Sequence, residues 1–211
     1  MKKASYYDLI SGFYEYFTEK LHGEHRVEAI ELLRLENGQT VLDVPCGTGA
    51  NFPLLCPLVG ATGQILGCDY SRGMLARART KITKAGWGNI RLVHADVRAL
   101  TPELLGSPRI DAVICMLGLS VVPDWQLSFD RMFDLVRPGG RFVTMDLFLE
   151  GKATSPLANG YYRVIAQAHS RRRFWEPLEQ RVPDFESIEH RWFGGVAKIV
   201  AGTKPLAPIH Q

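Results

Sequence analysis

Three carboxylates fall at intervals in the first half of the chain, Asp43, Asp69 and Asp96, and a glycine turn, Gly47-Thr48-Gly49, follows the first of them. Each has a binding chemistry. A helix N-terminus behind such a turn exposes N–H groups that hold a carboxylate or a phosphate. Glycine lets the backbone turn sharply and come close to the ligand. Asp43, just ahead of the turn, can orient it and attract an ammonium. Asp69, in GCDYS, can accept hydrogen bonds from the two hydroxyls of a ribose. Asp96, in HADV, can accept from the amino group of an adenine. Tyr70 and Met74 offer apolar faces to a flat ring. Taken singly, Asp43 could only tie down the turn and Asp69 only cap the helix that starts at Ser71. Three acids at the ends of three successive strands make a set.

The elements that would position these residues are legible as an alternation. Apolar, β-branched runs at Thr40–Val44, Gln64–Cys68, Ile90–His94, Asp111–Met116 and Arg141–Leu147 read as buried strands. Between them, Glu24–Leu35, Ser71–Ala85 and Asp124–Val136 carry apolar residues at helical spacing. Ser71 and Asp124 are N-cap types, and Arg137-Pro138-Gly139-Gly140 is a stop. Strand and helix in this rhythm predict an α/β, Rossmann-like, doubly wound and mostly parallel sheet. Its switch point would lie beside the glycine turn. Phe185–Phe193 and Val196–Thr203, joined at Gly194-Gly195, read as an antiparallel hairpin at the C-terminal edge. The length of 211 residues suits one domain. We divide it into a helical lid at 1–23, a cofactor-binding core at 24–150, a helical substrate-side insert at 151–183 and a strand pair at 184–204.

Two nucleotide cofactors compete for the turn. A dinucleotide site needs a third small residue after Gly-x-Gly, and the chain has Phe52 there. S-adenosylmethionine needs a carboxylate and ammonium binder, a ribose binder and an adenine slot, which the three acids supply. The chain resembles the class I S-adenosylmethionine-dependent methyltransferases. The residues that carry the resemblance are LDVPCGTG at 42–49, GCDYSRGMLARAR at 67–79, HADV at 94–97, DAVICMLGLSVVPD at 111–124 and LVRPGGRFVTMD at 135–146. It implies a seven-stranded sheet with a reversed last strand. It also implies a cofactor site made by Tyr7, Asp43, Pro45, Gly47, Thr48, Gly49, Asp69, Tyr70, Ser71, Met74, Asp96, Val97 and Met116. Pro45 stands where that class more often has Gly or Ala, and proline donates no N–H.

The stretch SVVPD at 120–124 is similar to bacterial phospholipid N-methyltransferases. Tyr7 and Tyr14 resemble the N-terminal tyrosine pair of that group and of quinone-biosynthesis C-methyltransferases. Two turns apart, both rings would share one helix face, over a sulfonium or against the core. Tyr14 and Ser120 are the candidates for positioning an acceptor. The resemblance favours a lipid head-group amine, with a quinone precursor or other small hydrophobic acceptor as the alternative. A cofactor-binding module without turnover, or an NAD(P)-dependent oxidoreductase, are the readings from other classes.

Composition narrows the partners. A formal net charge of +3 is too small for a dedicated nucleic-acid binder. No apolar run spans a bilayer and no signal peptide is read, so a cytoplasmic protein is expected. Tyr6, Ile10, Phe13 and Phe17 could rest on the inner face of a membrane, and Arg171–Arg173 with Phe174 and Trp175 form a second candidate for anionic head groups. Cys46, Cys56, Cys68 and Cys115 form no C-x-x-C pair and read as reduced, buried thiols, so no metal is expected. The six histidines show no ligand spacing; for His169, in the substrate-side insert, a surface or packing role is preferred over that of a base, and no catalytic base is named. The oligomeric state is not legible.

Overall fold

The structure, a computed structural model, describes residues 22–107, 109–149, 169, 171–192 and 195–206. Helix α1 covers residues 22–31. Strand β1 (Thr40–Asp43) leads to α2 (Phe52–Val59), β2 (Gln64–Asp69) to α3 (Arg72–Ala85), and β3 (Ile90–His94) to a 3-10 turn at Val97–Ala99 and the short α4 (Pro102–Leu105). Then come β4 (Ile110–Met116), α5 (Trp125–Leu135), β5 (Val136–Phe148), the short α6 (Glu176–Glu179), β6 (Glu186–Trp192) and β7 (Gly195–Thr203).

One sheet holds all seven strands in the order β3-β2-β1-β4-β5-β7-β6. The first five strands pair in parallel, and β7 runs antiparallel to both β5 and β6. Chain order reverses between β1 and β4, so the ends of these strands flank the crevice where such sheets bind ligands. The doubly wound sheet with a reversed C-terminal edge is therefore the fold expected from the alternation.

The inner strands are buried on both faces, which is why they read as unbroken apolar runs, while the edge strands β3 and β6 are partly exposed. On one face Val41, Ile65, Ile114, Val143 and Ile199 pack with Ala29 of α1, Leu33 in the turn after it, Leu55 of α2 and Leu75 of α3. On the other, Leu42, Leu66, Val113, Phe142 and Val200 pack with Phe129 and Phe133 of α5 and with Phe174, Trp175 and Leu178 around α6.

Three boundaries differ from the sequence reading. Helix α1 stops at residue 31, short of Leu35, because Arg34 takes a left-handed backbone with φ 51°. Asp124 does precede α5, but with φ 44° and no capping hydrogen bond from its side chain. Strand β5 begins at Val136, so the Arg-Pro-Gly-Gly stop lies inside its irregular first half. Ser71 is the cap it was expected to be, accepting the Met74 amide at 3.1 Å. The proposed lid at 1–23 and insert at 151–183 fall largely outside the described residues.

Candidate functional site

The glycine turn sits at the tip of β1, and its shape comes from what lies beneath it. Phe52, fully buried, fills the space under Gly49 and Gly67. A Cβ at Gly49 would lie 2.5 Å from the Phe52 ring, and one at Gly67 would lie 2.7 Å from its tip. Gly49 also has φ 77°, a backbone that other residues rarely adopt. The residue that counts against a dinucleotide fingerprint is thus the one around which the turn is packed.

Asp69, at the end of β2, braces the same turn. Its Oδ2 accepts the Gly47 amide and its Oδ1 the Ser71 amide, each at 2.8 Å. With both backbone donors held, the carboxylate edge lies in the pocket wall beside Gly47 and Tyr70. Asp43 lies below the turn and is fully buried. Its Oδ1 accepts the Asn51 amide nitrogen at 2.8 Å, while its Oδ2 has no hydrogen-bond partner among the described residues. Burial pushes its carboxyl up to about 7, against the pull of Asn51 and of the nearby Arg26 guanidinium.

The pocket over the turn is lined by Pro45, Gly47, Thr48, Asp69, Tyr70, Ser71, Met74 and Met116. An adjoining cavity is lined by Asp69, Tyr70, Asp96 and Val97, with Arg98, Val122 and Pro123 opposite. Strand tips of β1, β2, β3 and β4 therefore bring Pro45, Gly47, Thr48, Asp69, Tyr70, Ser71, Met74, Asp96, Val97 and Met116 to the two cavities, while Asp43 and Gly49 lie beneath and line neither. Asp96 is not waiting for a partner. Arg98 holds both of its oxygens, at 3.0 and 2.7 Å, and keeps its carboxyl below the usual carboxylate range.

Ser120 corrects the sequence reading. It is buried, its amide donates to Asp146 Oδ2 at 2.7 Å, and it lies outside both cavity linings. It anchors the loop after β4 and does not face an acceptor in the pocket. Phe174 and Trp175 are core residues, so the aromatic half of the second head-group candidate is not on the surface. Tyr7 and Tyr14 lie outside the described residues.

Two neighbours were missed. Arg26, on α1, is buried against the pocket and donates to Asn51 Oδ1 and, at 3.7 Å, to Met116 Sδ. No local spacing links residues 26, 51 and 116, so only the tertiary fold reveals them. The histidines also gather more than their spacing suggests. His22 and His25 meet at 3.3 Å, His25 lies over His190, and His190 meets Glu28 at 2.5 Å. Burial pushes His22 down to about 4, with His25 and Arg26 adding to the shift. Among the described residues no cluster of His, Cys, Asp and Glu could hold a metal ion.

Residues 41–140 match the family model described as a methyltransferase domain. A demethylmenaquinone methyltransferase of Listeria monocytogenes is 33% identical to it over 147 residues, which are 69% of this chain and 61% of that protein. The chain thus spans less than two thirds of that relative's length. The chain also shares its fold with solved structures. Phosphoethanolamine N-methyltransferase 2 of Haemonchus contortus superposes with a TM-score of 0.73 at 15% identity, over 90% of this chain and 57% of that one. The [4+2]-cyclase SpnF superposes with a TM-score of 0.71 at 16% identity, over 87% and 81% of the two chains. A cyclase on the same fold shows that architecture alone does not fix the reaction.

The site can be tested for its fit to S-adenosylmethionine on its own atoms. A buried carboxylate with one oxygen lacking a donor calls for a cation, and the ligand's ammonium supplies one. The Asp69 carboxylate suits a diol, and the apolar faces of Met74 and Tyr70 suit a purine. The residues fit.

Proposed function

We propose that the protein is an S-adenosylmethionine-dependent methyltransferase acting on a small hydrophobic acceptor of the quinone-precursor class. The observation that carries the methyl-transfer reading is the orphaned, fully buried oxygen of Asp43 beneath a turn that Asp69 braces. The choice of acceptor rests on the curated relative, which is named for demethylmenaquinone.

When bound, the cofactor supplies a methyl group activated on a sulfonium. The chain's own residues bind and orient. Asp43 and the turn hold the amino-acid end, with Arg26 beside Asn51 as the cationic partner for its carboxylate. Asp69 holds the ribose hydroxyls. Tyr70, Met74 and Val97 receive the adenine, and Asp96 with Arg98 closes its far side. Met116, Leu117 and Val121 form an apolar wall that excludes water from the line of attack.

A lipid head-group amine is the second reading. The stretch Ser120–Asp124 favours it through its likeness to bacterial phospholipid N-methyltransferases. Among the described residues no helix is long and apolar enough to cross a membrane, so such an acceptor would be met at a surface.

The test is transfer of a tritiated methyl group to a quinone-precursor fraction and to a phospholipid fraction, side by side. Label in the quinone fraction supports the first reading and label in the phospholipids the second. Failure of the pure protein to bind S-adenosylhomocysteine by calorimetry removes both.

A further inference from the structure

The pocket wall opposite the glycine turn is the loop of residues 117–124, and its backbone is under unusual constraint. It opens at Leu117 with φ 53° and closes at Asp124 with φ 44°. Neither is glycine, and such conformations persist only where the surroundings impose them. The constraints come from three directions. From β5, the Met145 carbonyl accepts the Leu117 amide at 2.8 Å and Asp146 Oδ2 accepts the Ser120 amide. From the β3 side, Arg98 meets Asp124 Oδ2 at 2.6 Å. From the segment that follows residues 150–168, the His169 amide donates to the Ser120 carbonyl at 2.8 Å. One guanidinium nitrogen of Arg172 donates to the carbonyls of Leu119 and Val122, at 2.6 and 2.7 Å.

Arg172 differs from the other clamps. Among the described residues it alone bridges two points of the loop with a single charged group, and the residues it spans include the pocket-lining Val121 and Val122. It also lies in the field of both Asp146 and Asp124, the two carboxylates nearest the loop. Without its charge, those two acids would face the loop with less compensation.

We propose that Arg172 is a positioning residue for the cofactor pocket. It fixes the wall made by Val121, Val122 and Pro123, so that a segment some fifty residues further along the chain sets cofactor affinity. The inference rests on the S-adenosylmethionine reading above. Arg172 itself lines neither cavity.

The experiment is calorimetric titration of the full chain with S-adenosylhomocysteine. Binding by the wild-type protein is required first, and its absence would defeat the cofactor reading rather than this one. Arg172→Ala is then expected to weaken binding by roughly ten- to a hundredfold, the range for losing charge-assisted hydrogen bonds. The rise in cofactor KM should exceed the fall in kcat measured at saturation. Arg172→Lys should recover part of the affinity. Methylguanidinium at about 20 mM should improve binding to the alanine variant and leave the wild type unchanged, an effect that a general loss of stability would not produce. An affinity equal to wild type in Arg172→Ala overturns the proposal. So does a lower melting temperature of the apo protein with an unaltered Kd, which would assign Arg172 to stability alone. Should the alanine variant fail to fold, Arg172→Gln carries the same test: it keeps a donor and loses the charge, and wild-type affinity there overturns the proposal equally.

Discussion

Asp69 Oδ2 accepts the Gly47 amide at 2.8 Å, so the tip of β2 grips the turn that ends β1. On the proposed function, one side chain thus shapes the turn and offers a carboxylate to the ribose diol. Removing it should damage both. Asp69→Ala is expected to weaken S-adenosylmethionine binding by roughly a hundredfold. Calorimetry checks this, and an unchanged affinity would take the ribose role from Asp69.

The Asp43 carboxyl, raised to about 7 by burial, predicts two opposite pH dependences. A cation bound above the turn favours the ionised carboxylate, so cofactor binding below pH 7 releases a proton. Affinity should climb with pH and level off above about 7. Folding of the apo protein runs the other way. From the ordinary carboxylate pKa of 3.8 up to about 7, the native state keeps a proton that the unfolded chain has lost. Stability is therefore lost as pH rises through that window. Asp43→Asn should flatten both profiles, read by titrations in two buffers and by urea melts. A binding profile that keeps its slope in the variant would shift the proton to another group.

A methyl group added at Gly67 would meet Phe52 at 2.7 Å and Leu92 at 3.0 Å. Gly67→Ala should cost about 1–3 kcal/mol by overpacking. Phe52→Ala, which opens a cavity under the turn, should cost about 3–5 kcal/mol. Urea denaturation gives both values. A neutral Gly67→Ala would mean that the phenylalanine ring moves freely, contrary to its enclosed position.

Arg26 touches Asn51 and Met116 across the pocket floor. Arg26→Ala should raise the cofactor KM by roughly tenfold or more. The kinetic comparison is decisive if KM stays put, since the guanidinium would then have no part in holding the carboxylate.

Ser120→Ala should leave turnover near that of the wild type. The substitution keeps the Ser120 amide that donates to Asp146 at 2.7 Å and removes only the hydroxyl, a second donor to that carboxylate. Loss of the buried hydroxyl should cost about 1 kcal/mol of stability. A large fall in kcat with an unchanged melting temperature would return Ser120 to the acceptor site.

What the sequence could reveal was set by locality. Asp43, Asp69 and Asp96 close apolar runs, and parallel strands joined by crossovers must bring such ends to one edge of the sheet. Their convergence follows from the alternation alone. Arg26, Asn51 and Met116 meet only because α1 packs across β4, a contact that no short-range pattern encodes. Ser120 was misread for the same reason. Whether a serine faces a pocket or a buried acid depended on Asp146, on a neighbouring strand whose register the sequence does not print. Asp96 was placed correctly, but the arginine two residues on, which occupies it, went unweighed.

The reversed strand order at the edge has a consequence for synthesis. Strand β6 hydrogen-bonds to β7 and to no other strand, while β7 occupies the place beside β5. A nascent chain that has emerged only as far as Trp192 therefore has five strands ready to assemble and a sixth with nowhere to dock. Until residues 195–203 are available, the backbone N–H and C=O groups of residues 186–192 have no strand to pair with.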